Sequence, residues 1–291
     1  MDWVSAGQKK HDLLYVSNVK DGLVNVYDYQ HRTLVGILTG FTSPRGECAN
    51  AAGDVYITDA FAGTITEYEH GGKKPLQVLA DDYYEPLSCA VDHTTGNLAV
   101  ANSSTYSNEG GNLAIYPGGT GKPVFYGPPS GGAIQFGGCA YDDHGNLFTS
   151  AGASTTYQAF YYYYYLPKKS TQLRLISISA PGSSQVAGTV AFWDGQYWVV
   201  VSDNKLYRYS IGTKAHYIDA VVLSGAYSLY GQLSIYQKHW KSLGSKVVGA
   251  AGNQSQDVVA YWDYPAGGDP IATITKPLDE AWGITISLGE Q

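Results

Sequence analysis

Glu47 has the best claim to chemistry in this chain. It sits in the segment Pro44-Arg45-Gly46-Glu47-Cys48, and an equivalent position recurs along the chain as Ser88, Gly138, Thr189, Gln232 and Ile284. Only Glu47 in that series is charged, and a lone carboxylate among such neighbours needs a partner. Ion pairing with Arg45 is the simplest expectation. Glu85, Asp279 and Glu280 are the alternative partners, because paired carboxylates perform general acid–base work on sugar derivatives when their environments separate their pKa values.

Other polar and aromatic residues fall at related places. Asp21, Asp59, Asp81, Asp82, Glu109 and Asp203 add acids, while Phe61 and Tyr83 add rings. The expected ligand-binding set is Arg45, Glu47, Tyr84, Tyr106, Phe136, Tyr157, Tyr230, Gln232 and Trp282. Rings stack on sugar faces, and carboxylates and amides bind hydroxyls, so this set suits a small polar molecule, a polyol or a glycan. Clustered carboxylates would also suit Ca2+ or another divalent cation. Glu47 is the one metal candidate, and no firm metal or cofactor set can be assembled. Asn18, Asp59, Asn102, Asp203 and Asn253 are expected to cap turns through their short side chains.

The elements that position these residues repeat. YVSN at Tyr15, YITD at Tyr56, AVAN at Ala99, FTSA at Phe148, VVSD at Val200 and AAGN at Ala250 form six related strand signatures. Their period of roughly 40–50 residues, built from short apolar strands and Gly-rich turns, indicates a propeller. Each unit resolves into four strands of alternating polarity. The first unit lacks an innermost strand, and AWGITIS near the C-terminus supplies one. The expected fold is therefore all-β: a single six-bladed β-propeller of four-stranded antiparallel blades, closed by the C-terminal strand. Residues 13–287 form the propeller, with tails at 1–12 and 288–291. Tyr27, Tyr68, Tyr116 and Trp262 recur in third strands and are expected to pack between blades. The five consecutive tyrosines at 161–165 should place alternate rings on opposite faces of a strand.

This layout sorts residues by face. Loops before inner strands, and between second and third strands, open on a first face, where ligands of this fold are expected. His93, His144, His239, His31 and His70 fall on the opposite face, His216 begins an outer strand and His11 lies in the N-terminal tail. A histidine base or Ser-His-Asp triad at the first mouth is thereby disfavoured. The chain also lacks GxSxG, HExxH and Walker sequences. The loops at 102–112 and 151–160 are long and polar, which suits recognition of a sugar or a protein.

Composition sets further bounds. The 291 residues carry a formal net charge of −7, which opposes nucleic-acid binding. No apolar run is long enough for a transmembrane helix. Cys48, Cys89 and Cys139 occupy the same place in successive repeats, and are expected as three small buried side chains rather than a disulfide framework. The Tyr/Gly/Ser/Asn-rich, Lys-poor composition suggests an extracytoplasmic protein whose leader has been removed; a monomer is expected.

The segment PRGECANAAGDVYITD, starting at Pro44, resembles the NHL-repeat pattern of an inner strand with Pro-x-Gly, a small hairpin and a YVTD-like second strand. The chain as a whole resembles the NHL, YncE-like and SMP-30/gluconolactonase group of six-bladed propellers. Gly46-Glu47 matches the first metal-binding glutamate of the SMP-30-like lactonases. Their Asn and Asp ligands precede the glycine in later inner strands, where this chain has Arg45, Pro86, Phe136, Ala187, Tyr230 and Trp282. The first reading is accordingly a binding propeller without catalysis, whose ligand is a small polar molecule, glycan or protein. A lactonase or other carbohydrate-active hydrolase or lyase centred on Glu47 is the alternative. A protein-interaction scaffold is the third.

Overall fold

The computed structural model describes residues 4–5, 7–81, 84–105, 110–129, 134–154, 159–182, 186, 190–212, 214–225, 231–236, 245–253 and 256–289. Among these residues, twenty-four strands make six four-stranded sheets, arranged as the blades of a β-propeller. The first blade contains β1 (Leu13–Asn18), β2 (Leu23–Asp28) and β3 (Leu34–Thr39). The second runs from β4 (Pro44–Ala49) through β5 (Val55–Asp59) and β6 (Thr64–Tyr68) to β7 (Pro75–Ala80). The third has β8 (Tyr84–Val91), β9 (Leu98–Thr105), β10 (Leu113–Tyr116) and β11 (Val124–Tyr126). In the fourth lie β12 (Gln135–Tyr141), β13 (Leu147–Ser154), β14 (Ala159–Leu166) and β15 (Arg174–Ile176). The fifth comprises β16 (Val190–Trp193), β17 (Trp198–Ser202), β18 (Lys205–Ile211) and β19 (Ala215–Val222). The sixth comprises β20 (Leu233–Tyr236), β21 (Ser245–Asn253), β22 (Gln256–Tyr264) and β23 (Ala272–Ile274).

The last strand, β24 (Ala281–Ser287), closes the ring. It pairs antiparallel with β1, with Leu13 opposite Ser287 and Tyr15 opposite Thr285. The first sheet therefore has the order β24-β1-β2-β3. This pairing removes an inner strand edge that would otherwise be open to another chain.

The cores lie between blades. Tyr27, Tyr116 and Trp262 are fully buried there, and Tyr68 nearly so, as their recurrence in third strands predicts. In β14, Tyr161, Tyr163 and Tyr165 pack toward Trp198 and Tyr209, whereas Tyr162 and Tyr164 pack toward Leu113 and Phe136. Alternate rings thus feed the interfaces on either side of one blade, the consequence of a period of two.

Glycines set the distance between inner strands. A Cβ built on Gly283 would lie 1.7 Å from the carbonyl oxygen of Arg45. One on Gly231 would lie 2.3 Å from that of Trp282. Backbone meets backbone at these points, which only a residue without a side chain permits. The glycine of the repeat is therefore a packing residue, and it draws Arg45, Trp282 and Gln232 together around the axis.

Candidate functional site

Glu47, on β4, is completely buried. Its Oε1 accepts a hydrogen bond from the Ser17 hydroxyl at 2.7 Å. Burial pushes its pKa up to about 8, against the opposing pull of Ser17 and the Thr285 backbone amide. Its Oε2 has no hydrogen-bond partner among the described residues. The expected ion pair with Arg45 does not form. The chain at Gly46 is bulged, with a register shift between Pro44 and Glu47, and Arg45 instead lies over the Trp282 ring, 4.6 Å from its centroid.

Gln232 fixes the Glu47 backbone. Glu47 N–H donates to Gln232 Oε1 at 2.7 Å, and Gln232 Nε2 donates to the Glu47 carbonyl at 2.7 Å. The Gln232 backbone N–H donates to the Trp282 carbonyl at 2.9 Å. One side chain thus links the sixth blade to the second across β24.

Below this bridge lies a cavity of about 330 Å³. Glu47, Gln232 and Ile284 lie at its inner end, and His93, Asp143, Gly195 and Leu288 lie toward the hairpins that follow the inner strands. It therefore opens on the opposite face, not on the first face where the sequence directs attention. Its wall includes Tyr141, Phe192, Trp193, Tyr236 and Ser234. The indole Nε1 of Trp193 is buried and, like Glu47 Oε2, has no partner among the described residues. A volume of this size falls within the usual range of small-molecule sites.

The hairpins on this face are shaped by short acids. Asp92 accepts from the backbone N–H and hydroxyl of Thr94 and from the hydroxyl of Thr95. Asp142 accepts from the backbone N–H groups of His144 and Asn146, and Asp194 from those of Gln196 and Tyr197. These Asx turns hold the inner strand ends in place around the cavity.

The cysteines require a correction. Cys48 and Cys89 form a disulfide, with Cα atoms 5.6 Å apart, and Cys139 is free and buried. Equivalent places on successive repeats lie on neighbouring inner strands, so a separation of 41 residues along the chain becomes contact in space. All three sulfur residues line the cavity. Burial raises the Cys139 thiol pKa to about 12, which suppresses the reactive thiolate.

The first-face residues are drawn to other partners. Glu85 accepts from the hydroxyls of Ser103 and Ser104 at 2.9 and 2.7 Å. Asp279 pairs with Lys20 at 3.1 Å. Glu280 adopts a positive φ of 57°, and its N–H donates to Asp257. Glu85 and Glu280 do bear on one residue of the set: burial lowers the Arg45 pKa, and these two carboxylates oppose that shift. Among the described residues, none of the three acids is hydrogen bonded to Glu47. Tyr84 packs on Phe125 with centroids 5.2 Å apart. Phe136 is fully buried, stacked on Tyr164 of its own blade at 5.8 Å and in one cluster with Ala101 and Leu113 of the third blade, so it packs the core rather than facing a ligand. Tyr106, Tyr157 and Tyr230 lie outside the described residues, as do Asp82, Tyr83 and Glu109. Asp59 caps as expected, but reaches back along the chain to the backbone N–H groups of Thr42 and Ser43.

A lactonase-type metal set is not present in the described positions. Arg45, Pro86, Phe136 and Trp282 stand where oxygen ligands would be needed, and the bonded oxygen of Glu47 faces a hydroxyl donor. Sequence reasoning missed Tyr141, Trp193 and Tyr236. Their signal was present, since each is the last residue of its inner strand.

No protein-family model matches the chain, and no curated protein matches it in sequence. Solved structures do resemble it in fold. A chain from the crystal structure of a nidogen/laminin complex superposes with a TM-score of 0.69 at 14% identity, covering 96% of this chain and 100% of that one. A protein of unknown function from Bacteroides caccae gives 0.68 at 11% identity, covering 95% and 99%. A functionally unknown protein from Desulfotomaculum acetoxidans gives 0.58 at 11% identity, covering 96% and 99%. At these identities the likeness establishes a propeller architecture and nothing about function.

Proposed function

We propose that this propeller is a monomeric, extracytoplasmic binding protein that takes a small polyhydroxy compound into its central channel without transforming it. The observation that carries the reading is that two buried polar atoms without partners among the described residues, Glu47 Oε2 and Trp193 Nε1, belong to residues lining one cavity. Buried polar groups in proteins are almost always satisfied, so such atoms mark places where a ligand can supply the missing bonds. A sugar or polyol hydroxyl both donates and accepts, and the nearby rings of Tyr141, Trp193 and Tyr236 offer apolar faces for its C–H groups. The Cys48–Cys89 disulfide supports an oxidising compartment, where such bonds persist.

Glu47 also supports the catalytic alternative, since a carboxyl with a pKa of about 8 retains its proton at neutral pH and can act as an acid. Among the described residues, however, its carboxyl meets the Ser17 hydroxyl and the Thr285 backbone amide, not a second acid or base. Binding is therefore the preferred reading. A thermal-shift screen of polyols, neutral sugars, uronic acids and sugar lactones tests it. A ligand at 100 times its dissociation constant adds about 2.7 kcal/mol of stability. Stabilisation by a polyol or neutral sugar, recovered unchanged after incubation, is expected. Turnover of a lactone that is abolished in Glu47→Gln would favour the enzyme. No response to any compound would contradict both.

A further inference from the structure

Outside the cavity lining, three residues of the first blade and the segment before it converge. Asp28 ends β2, His31 follows in the turn after it, and His11 precedes β1. His11 Nδ1 lies 2.6 Å from Asp28 Oδ2, and His31 Nδ1 lies 2.8 Å from Asp28 Oδ1. One ligand atom from each residue lies within 4.8 Å of the other two. We infer that His11, Asp28 and His31 form a binding site for a late first-row divalent cation such as Zn2+, with two imidazole nitrogens and one carboxylate oxygen as ligands.

The donor set selects the class of ion. Two imidazoles and a carboxylate suit Zn2+, Ni2+ or Cu2+, whereas Ca2+ and Mg2+ prefer oxygen throughout. The site is half built and half adjustable. The Asp28 side chain is only 4% exposed, and its carboxylate is anchored by the His31 backbone N–H at 2.8 Å. The histidine side chains are 48% and 59% exposed, so their rings can turn without disturbing the core. Metal–ligand bonds of about 2.0–2.2 Å require a small outward movement of those rings from the carboxylate, and each Nδ1, which now donates to Asp28, must give up its proton to solvent while the other ring nitrogen takes one up. Asp12, beside His11, is committed elsewhere, to the Tyr236 hydroxyl and the Gly289 amide. A bound ion would pin the N-terminal segment to the first blade.

The test is isothermal titration of the tag-free, full-length protein with Zn2+, alongside visible absorption with Co2+ as a spectroscopic substitute. One equivalent of Zn2+ is expected, with d–d bands from Co2+. His11→Ala and His31→Ala should each weaken binding by at least about tenfold, given that even outer-sphere partners of metal ligands are worth about 10–100-fold. Both substitutions are at exposed side chains, and circular dichroism checks that they fold. His144→Ala, in a hairpin of another blade, should bind as the unaltered protein does. Absence of stoichiometric binding by the unaltered protein, or equal binding by the His31→Ala protein, would overturn the proposal.

Discussion

The amide side chain of Gln232 reproduces, against the backbone of Glu47, the paired donor and acceptor of a neighbouring β-strand. Both bonds are 2.7 Å long, and they cross from the sixth blade to the second. This bridge ties together two blades that are not adjacent in the ring. It also sets the inner end of the cavity.

Gln232→Ala should accordingly destabilise the fold. It leaves a part-buried N–H and a carbonyl of Glu47 unpaired, at a cost of about 2–3 kcal/mol. Urea denaturation measures this directly. Gln232→Glu should recover less than half of the loss, because a carboxylate accepts the Glu47 N–H but cannot donate to its carbonyl.

Glu47 should make stability fall as pH rises. Its folded pKa, about 8, lies above its ordinary value of 4.5. The folded state therefore holds a proton that the unfolded state releases between these values. The contribution is fully favourable below about pH 4.5 and is lost progressively as pH rises through about 8. Each pKa unit corresponds to about 1.4 kcal/mol, so the effect amounts to several kcal/mol. Glu47→Gln, which cannot ionise, should gain stability relative to the unaltered protein as pH rises. Chemical denaturation of both proteins at about pH 5 and about pH 9 gives the sign. A constant difference between them would contradict it.

Reduction of Cys48–Cys89 should lower stability without unfolding the protein at room temperature. The bond spans 41 residues, for which loop-closure entropy gives about 4 kcal/mol. Thermal melts with and without reductant should differ by several degrees, and Cys139→Ser should melt like the unaltered protein in both. Thiol titration of the native, unreduced protein should find at most one cysteine.

Gly283→Ala tests the close approach of the first and second blades. Its added methyl would fall on the Arg45 carbonyl, and the overlap involves backbone on both sides. A loss of about 3 kcal/mol or more, or failure to fold, is expected. Gly40→Ala is the control for added bulk, as nothing lies within 4 Å of its Cβ position; with φ at +99°, it should show only backbone strain, about 1–3 kcal/mol.

Strand periodicity made the blades legible because each strand has one fate: to bury alternate residues in two interfaces. The same logic exposed the closure by AWGITIS and the alternating rings of the tyrosine run. Side-chain partnerships were harder to read. Glu47 stood out as the charged member of its series, yet its partner, Ser17, lies on another blade. Arg45, its neighbour in sequence, was turned away by a bulge. The disulfide was hidden for a related reason: equivalent repeat positions suggested equivalent environments, while the geometry made two of them neighbours. Trp193 and Tyr236 are marked in the sequence only as the last residues of their inner strands, and the curvature of the ring brings them onto one cavity.

A crystal structure of the protein soaked with the most stabilising polyol or sugar would test the central claim most directly. Ligand density is predicted inside the channel, with hydroxyls within hydrogen-bond distance of Glu47 Oε2 and Trp193 Nε1. Density on the first face, against Arg45 and Trp282, or a channel holding only water, would contradict the account.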